Sequence, residues 1–196
     1  MSELTVGTLS GLAANSYVID VASGSQLTQP GMVLQVVSAI RSEPSSASIT
    51  TAGDFVGLTG LSATITPSAT SSKILVLASV SYAPRSVTQN SRTFYRLMRD
   101  STPIGNGDTA SSRTSAFTGL YLNSDGDVVQ DTANYLDSPN TTSAVTYSVQ
   151  GTSSASSDSI VINRSSTDAD LLGRARTASY ITLLGWQANG CFPCTS

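Results

Sequence analysis

Cys191 and Cys194, in Cys191-Phe192-Pro193-Cys194, are the only two cysteines of the 196-residue chain. Two thiols at this spacing form a redox couple when the first sits at a helix N-terminus that lowers its pKa. Here the pair follows a strand pattern close to the end of the chain, with no βαβ unit near it. As half of a zinc site it would need ligands from other chains, because the sequence holds no histidine. The plainer reading is a small apolar tail that packs beneath a neighbour, with its thiols reduced in a cytosol. The lack of histidine also removes the commonest general base and proton shuttle.

Asn123-Ser124-Asp125-Gly126-Asp127 is rich in oxygen donors, as a calcium loop is, but lacks the downstream bidentate glutamate. A hairpin turn accounts for it more economically. Gly105-Asn106-Gly107-Asp108 lacks the lysine and the following helix of a phosphate-binding loop. Asp125, Asp127, Asp131 and Asp137 could supply a glycosidase pair only if two stood within ~5–9 Å, and spacing gives no reason for that. Asn140 and Asn163 open glycosylation sequons, which matter only on a secretory route. No catalytic residue, cofactor or metal site is assigned, and the chain is expected not to be an enzyme.

The segment Ser91 to Asp100 carries recognition character instead of reactivity. Read as a strand, it puts Arg92, Phe94, Arg96 and Met98 on one face and Tyr95, Leu97 and Arg99 on the other. Arginine mixed with aromatic residues is enriched where proteins meet proteins. Arg96 is read either as bonded to an acid or to carbonyls at a subunit contact, or as a snorkelling arginine on an edge strand.

The elements that position these residues have an apolar period close to two, the strand signature. Lys73 to Tyr82 is the clearest: Ile74, Val76, Ala78, Val80 and Tyr82 oppose Leu75, Leu77, Ser79 and Ser81. Met32–Ile40 and Tyr180–Gln187 are likewise apolar on both faces, and shorter runs fall at 61–65, 116–122, 128–136, 145–149 and 160–162. Turn signals at Thr66-Pro67-Ser68, Ala83-Pro84-Arg85, Gly105 to Asp108, Asn123 to Asp127 and Ser138-Pro139-Asn140 separate the runs. Asp168 to Ala175 is read as a loop. A strand apolar on both faces needs a cover on each, and with no helix to spare a sister subunit is the simplest outer cover.

Three regions follow. Residues 1–31, glycine-interleaved and sparsely apolar (Leu4, Val6, Leu9, Tyr17, Ile19), read as an extended arm that pairs with neighbours, or as ordinary edge strands. Residues 32–187 read as an all-β sandwich, and residues 188–196 as a tail bearing the two cysteines. The expected contact residues are Leu4, Val6, Leu9, Tyr17, Ile19, Phe94, Arg96, Met98 and Trp186.

Bulk composition narrows the partners. A net charge of -3 argues against nucleic acid and anionic membranes, which need a basic surface. Charged residues are only 12% of the chain, while serine and threonine together fill about 30%, and Lys73 is the lone lysine. Such a surface suits contact more than solvation. The start Met1-Ser2-Glu3-Leu4 has no signal-peptide pattern, and no apolar run reaches the ~20 residues that span a bilayer. Assembly in a cytoplasm is expected.

A resemblance joins these readings. Gly31 to Val37, Ile65 to Val76, Tyr95 to Ser101, Leu136 to Thr142 and Thr167 to Asp170, in that order, resemble virion proteins of marine and cyanobacterial tailed phages. The likeness runs from Leu4 to Trp186, and the tail after it departs from the pattern. It implies a jelly-roll-like module, trimeric and without catalysis, found as tail-fibre-like or capsid-associated protein. The implied partners are two sister copies and a major capsid or tail protein. A receptor-binding tip is the alternative, with host glycans held by the loops 83–91, 105–113 and 153–159, although these contain no Phe, Trp or Tyr.

Overall fold

Strict alternation over nine to twelve residues forces a pleated strand to show one face to a core, and this chain builds two sheets on that basis. The computed structural model describes residues 32–83, 91–121 and 128–187. The arm at 1–31, the Asp125-Gly126 turn and the cysteine tail lie outside the described residues. Among the described residues there are eleven strands, all paired antiparallel: β1 (Val33–Arg41), β2 (Ser45–Ile49), β3 (Val56–Ile65), β4 (Ser72–Ala83), β5 (Thr93–Arg99), β6 (Thr102–Ile104), β7 (Thr118–Leu120), β8 (Val129–Asp137), β9 (Val145–Ser153), β10 (Asp158–Ile162) and β11 (Ser179–Gln187).

One sheet runs β1–β11–β4–β8, with β10 and then β2 added beside the Tyr82 end of β4. The other runs β3–β9–β5, and both β6 and β7 lie along the far edge of β5. Take β6 and β7 as one interrupted strand and set aside the β2–β10 pair. The eight remaining positions then pair first–eighth–third–sixth in one sheet and second–seventh–fourth–fifth in the other. That order is a jelly roll, two wrapped Greek keys, so the expected all-β jelly-roll-like sandwich is what the chain forms.

The strands expected from periodicity are present at nearly the expected bounds. β2 and β6 were not expected, because Ser45–Ile49 is serine-rich and Thr102–Ile104 has only three residues. A two-residue turn, Asp100-Ser101, joins β5 to β6 with Asp100 at φ 50°. The Asp100 amide and carboxylate exchange hydrogen bonds with the Thr146 backbone (2.7 and 2.9 Å), which holds this positive-φ turn against β9.

The core lies between the sheets. Ile74, Val76, Ala78, Val80 and Tyr82 of β4 and Ile181 and Leu183 of β11 face Leu61, Ala63, Ile65, Tyr95, Leu97, Tyr147 and Val149. Its polar content is organised by two inward carboxylates on β8. Asp131 accepts from the Tyr82 hydroxyl (2.6 Å) and from Thr118 (2.9 Å). Asp137, almost wholly buried, accepts from the Tyr147 hydroxyl (2.6 Å) and from Arg99 (2.9 and 3.0 Å). Asp131 thus reaches the second sheet through Thr118, and Asp137 through Tyr147 and Arg99.

A further hub closes the Tyr82 end of the sandwich. Asn163, fully buried at φ 62°, donates to the carbonyls of Arg41 and Glu43 and accepts from the Ser179 hydroxyl. The same Ser179 oxygen accepts from the Ser81 amide. With both amide atoms engaged at zero exposure, the sequon at Asn163 is closed to modification.

Two predictions follow from the core. Asp137→Ala leaves the Arg99 guanidinium and Tyr147 hydroxyl without their acceptor, and should lower unfolding free energy by about 3 kcal/mol in urea denaturation. An unchanged midpoint would mean that this carboxylate is free for other work. Burial, with the adjoining carboxylates, raises the Tyr82 and Tyr147 hydroxyl pKa values far above the ordinary value, and burial does the same for Tyr95. Raised native pKa values keep these protons bound when the unfolded chain would release them, so their stabilisation is complete below about pH 10 and falls above it. Denaturation midpoints taken from pH 8 to 11.5 should drop beyond pH 10, and a flat profile contradicts this.

Candidate assembly surface

The two sheets turn different outer faces to their surroundings. On the β3–β9–β5 sheet the outward positions are mainly Ser62, Thr64, Thr146 and Ser148, joined by the β5 residues Phe94, Arg96 and Met98. Each of those three is already engaged. The Phe94 ring lies over Gly119 on β7, where a Cβ would clash with it, so the glycine is a seat for the ring. Arg96 donates twice to the Gln150 side-chain oxygen (2.9 and 2.7 Å) and stacks on Phe55, 3.9 Å from the ring centroid. Within the chain its acceptor is an amide, and desolvation lowers its pKa. Met98 is buried, beside Pro103 on β6.

The outer face of the β1–β11–β4–β8 sheet is different. Register places Val36 opposite Leu184, Leu184 opposite Leu75, and Leu75 opposite Leu136. These four side chains make one apolar row that crosses the sheet from edge to edge, perpendicular to the strands. Val36 is 60% exposed and Leu136 52% exposed, and no described element covers them. The next rows are Ser38–Thr182–Leu77–Asn134 and Ile40–Tyr180–Ser79–Thr132. Only toward Ser81 does segment 164–178 close over this face, through Ser81 to Thr177 (2.7 Å) and Gln130 to the Ala178 carbonyl (3.5 Å). Lys73 is the one formally charged residue among the outward positions of the four strands, and it donates to Ser138 (2.5 Å).

Trp186 lies on this same face, opposite Lys73 and Val33. It helps to line a cavity of about 200 Å³ with Leu34, Ile65, Pro67, Ile74 and Gly185. Val33 and Trp186 pair directly on adjacent strands at this end of the sheet. A shallow trough of about 450 Å³ lies beyond the apolar row, walled by Leu77, Ser79, Gln130, Thr132, Asn134, Tyr180 and Thr182.

The structure therefore separates the residues singled out from sequence. Phe94, Arg96 and Met98 sit on one side of the sandwich and Trp186 on the other, while Leu4, Val6, Leu9, Tyr17 and Ile19 lie outside the described residues. Reading strands one by one gave the two-faced apolar character but not the row, because lateral neighbours depend on register. Val36, Leu75, Leu136 and Leu184 were visible only as alternating residues of separate runs.

Of the four acids considered for a hydrolytic pair, Asp125 and Asp127 lie outside the described residues. Asp131 and Asp137 are six residues apart on one strand, about 20 Å, well beyond the ~5–9.5 Å of glycosidase pairs. Among the described residues no cluster of three or more His, Cys, Asp or Glu is placed to hold a metal ion, and no helix is long and apolar enough to cross a membrane.

No family model and no curated protein matches the chain. Among solved structures, it is similar to a chain in the structure of infectious bursal disease virus Gt strain, at 13% identity and a TM-score of 0.43. The alignment covers 83% of this chain and 42% of that one, so this chain spans less than half its length. A likeness of that size assigns no role to any residue here.

Proposed function

We propose that this protein is a non-enzymatic structural component of a tailed-phage virion: a homotrimer that decorates or cements the capsid shell, or serves as a short head or tail fibre module. The observation that carries the reading is the edge-to-edge apolar row on an open sheet face. Monomeric proteins rarely leave contiguous apolar surface uncovered, and such patches mark protein contacts. The resemblance of its motif order to phage virion proteins, drawn from the sequence, is what suggests the setting.

Docking is assigned to residues 1–31, with Leu4, Val6, Leu9, Tyr17 and Ile19 contacting a major capsid or tail protein. Phe94, Arg96 and Met98 supply a second contact on the opposite face of the sandwich, and Trp186 one beside the arm. Decoration is preferred over a long adhesive fibre because the sequence holds no extended repeat. Assembly takes place in the host cytoplasm without nucleic acid, membrane or cofactor. A receptor-binding tip is the second reading. The observation favouring it is the trough, where Tyr180 stands beside the amides of Gln130 and Asn134, groups suited to a neutral glycan.

Particle reconstitution tests the docking role. The chain lacking residues 1–31 should fold as a trimer yet fail to load onto particles, read by gel densitometry of purified virions. Normal occupancy by the truncated chain overturns the arm assignment. In electron cryomicroscopy, density on the shell threefolds selects decoration, and density at the tail tip selects the receptor-binding reading.

A further inference from the structure

We infer that the outer face of the β1–β11–β4–β8 sheet is the contact between copies of this chain, with the row Val36–Leu184–Leu75–Leu136 turned toward a threefold axis that runs along the strands. The inference rests on the homotrimer proposed above and adds the surface that builds it.

Concentration comes first. Of the nine large apolar residues exposed among the described residues, four (Val36, Ile40, Leu136 and Tyr180) lie on this one face. Geometry comes second. The row is level, since each member is the direct cross-strand partner of the next. Rotation about an axis along the strands carries a level row into itself at the same height. Three copies then join three rows into one apolar belt of twelve side chains, each copy meeting two neighbours through heterologous contacts that close on themselves. An axis lying across the strands would instead set the rows at different heights and leave their ends open.

Charge decides between occupants. A strongly charged partner would bury charges with nothing opposite them, which costs several kcal/mol for each. The outward positions of these strands hold no carboxylate, and Lys73 is already bonded to Ser138. A second copy brings the same carboxylate-free surface, whose one charge, Lys73, stands in the end row beside Trp186 and is hydrogen-bonded to Ser138. The flanking rows add Ser38, Thr182, Asn134 and Thr132, hydroxyls and amides suited to the polar margin that surrounds an apolar contact. Four strands of nine residues present about 19 Å by 30 Å, roughly 600 Å² per copy divided between two neighbours, so the trimer closes through all three contacts together.

The test uses the full chain and sedimentation equilibrium. Val36→Glu and Leu136→Glu alter side chains more than half exposed in the protomer, so each fold should persist, checked by circular dichroism. Either variant puts three carboxylates in one belt, and association should weaken at least 100-fold, giving monomers at micromolar concentration. Ser62→Glu, exposed on the outer face of the other sheet, should stay trimeric. Should both belt variants misfold, Val36→Thr keeps the shape and should weaken association about tenfold.

A trimer unaffected by Val36→Glu or by Val36→Thr overturns this contact while the homotrimer stands. That outcome hands the face to the chain's own arm or to a shell protein. A monomeric wild-type chain overturns the homotrimer itself. A wild-type dimer split by Val36→Glu makes the face an isologous pair and overturns the threefold belt.

Discussion

A pleated strand sends alternate side chains to opposite faces, so a strand apolar on both faces needs two covers. β4 is the strand on which this constraint bears hardest. Its inner residues Ile74, Val76, Ala78 and Val80 are sealed by the second sheet. Its outer residues Leu75 and Leu77 are screened only in part, by neighbours in their own sheet. A jelly roll supplies one cover for each sheet and no more. What the fold leaves open on β4 therefore sets the direction in which the molecule can extend its packing.

β8 shows how far the interior has been traded for polarity. This edge strand turns Asp131 and Asp137 inward and Leu136 outward, the reverse of a simple soluble strand. Inward carboxylates are tolerable because each is met by donors: Asp131 by Tyr82 of its own sheet and Thr118 of the facing one, Asp137 by Tyr147 and Arg99 of the facing sheet. Those bonds are directional where apolar contact is not, and they fix how one sheet sits over the other. Among the described residues the outward leucine has no such partner, and it completes the row begun by Val36 on the opposite edge of the sheet.

Sequence made the strands legible and left their neighbours hidden. The alternation at Lys73 to Tyr82, Met32 to Ile40 and Tyr180 to Gln187 shows plainly as strand, and turn residues mark most of the reversals. β2 is too rich in serine, and β6 too short, to stand out from loop. The tight turn at Asp100-Ser101 has no glycine to announce it, since a bond from the Asp100 side chain to Thr146 supports the positive φ. Phe94, Arg96 and Met98 drew notice because their types are enriched at interfaces. Within the chain, Phe94 covers Gly119 and Arg96 is held by Gln150 and Phe55. Type alone does not show whether a side chain has already spent its contacts.

The same lesson bears on the inferred contact between copies, which falls on valine and leucine. A scattered set of exposed apolar side chains is ordinary on any protein, and its members contribute separately. Val36, Leu184, Leu75 and Leu136 differ because four strands in fixed register place them at one height, so that water excluded from one is excluded from the next. Above the row the surface turns to Ser38, Thr182 and Asn134, whose hydrogen-bonding groups penalise any docking that slides the apolar belt onto them unpaired. Apolar attraction gives the contact its strength and the polar rows give it its register. With almost no charge on the face, neither property should depend on ionic strength, which suits a surface that assembles once and stays assembled.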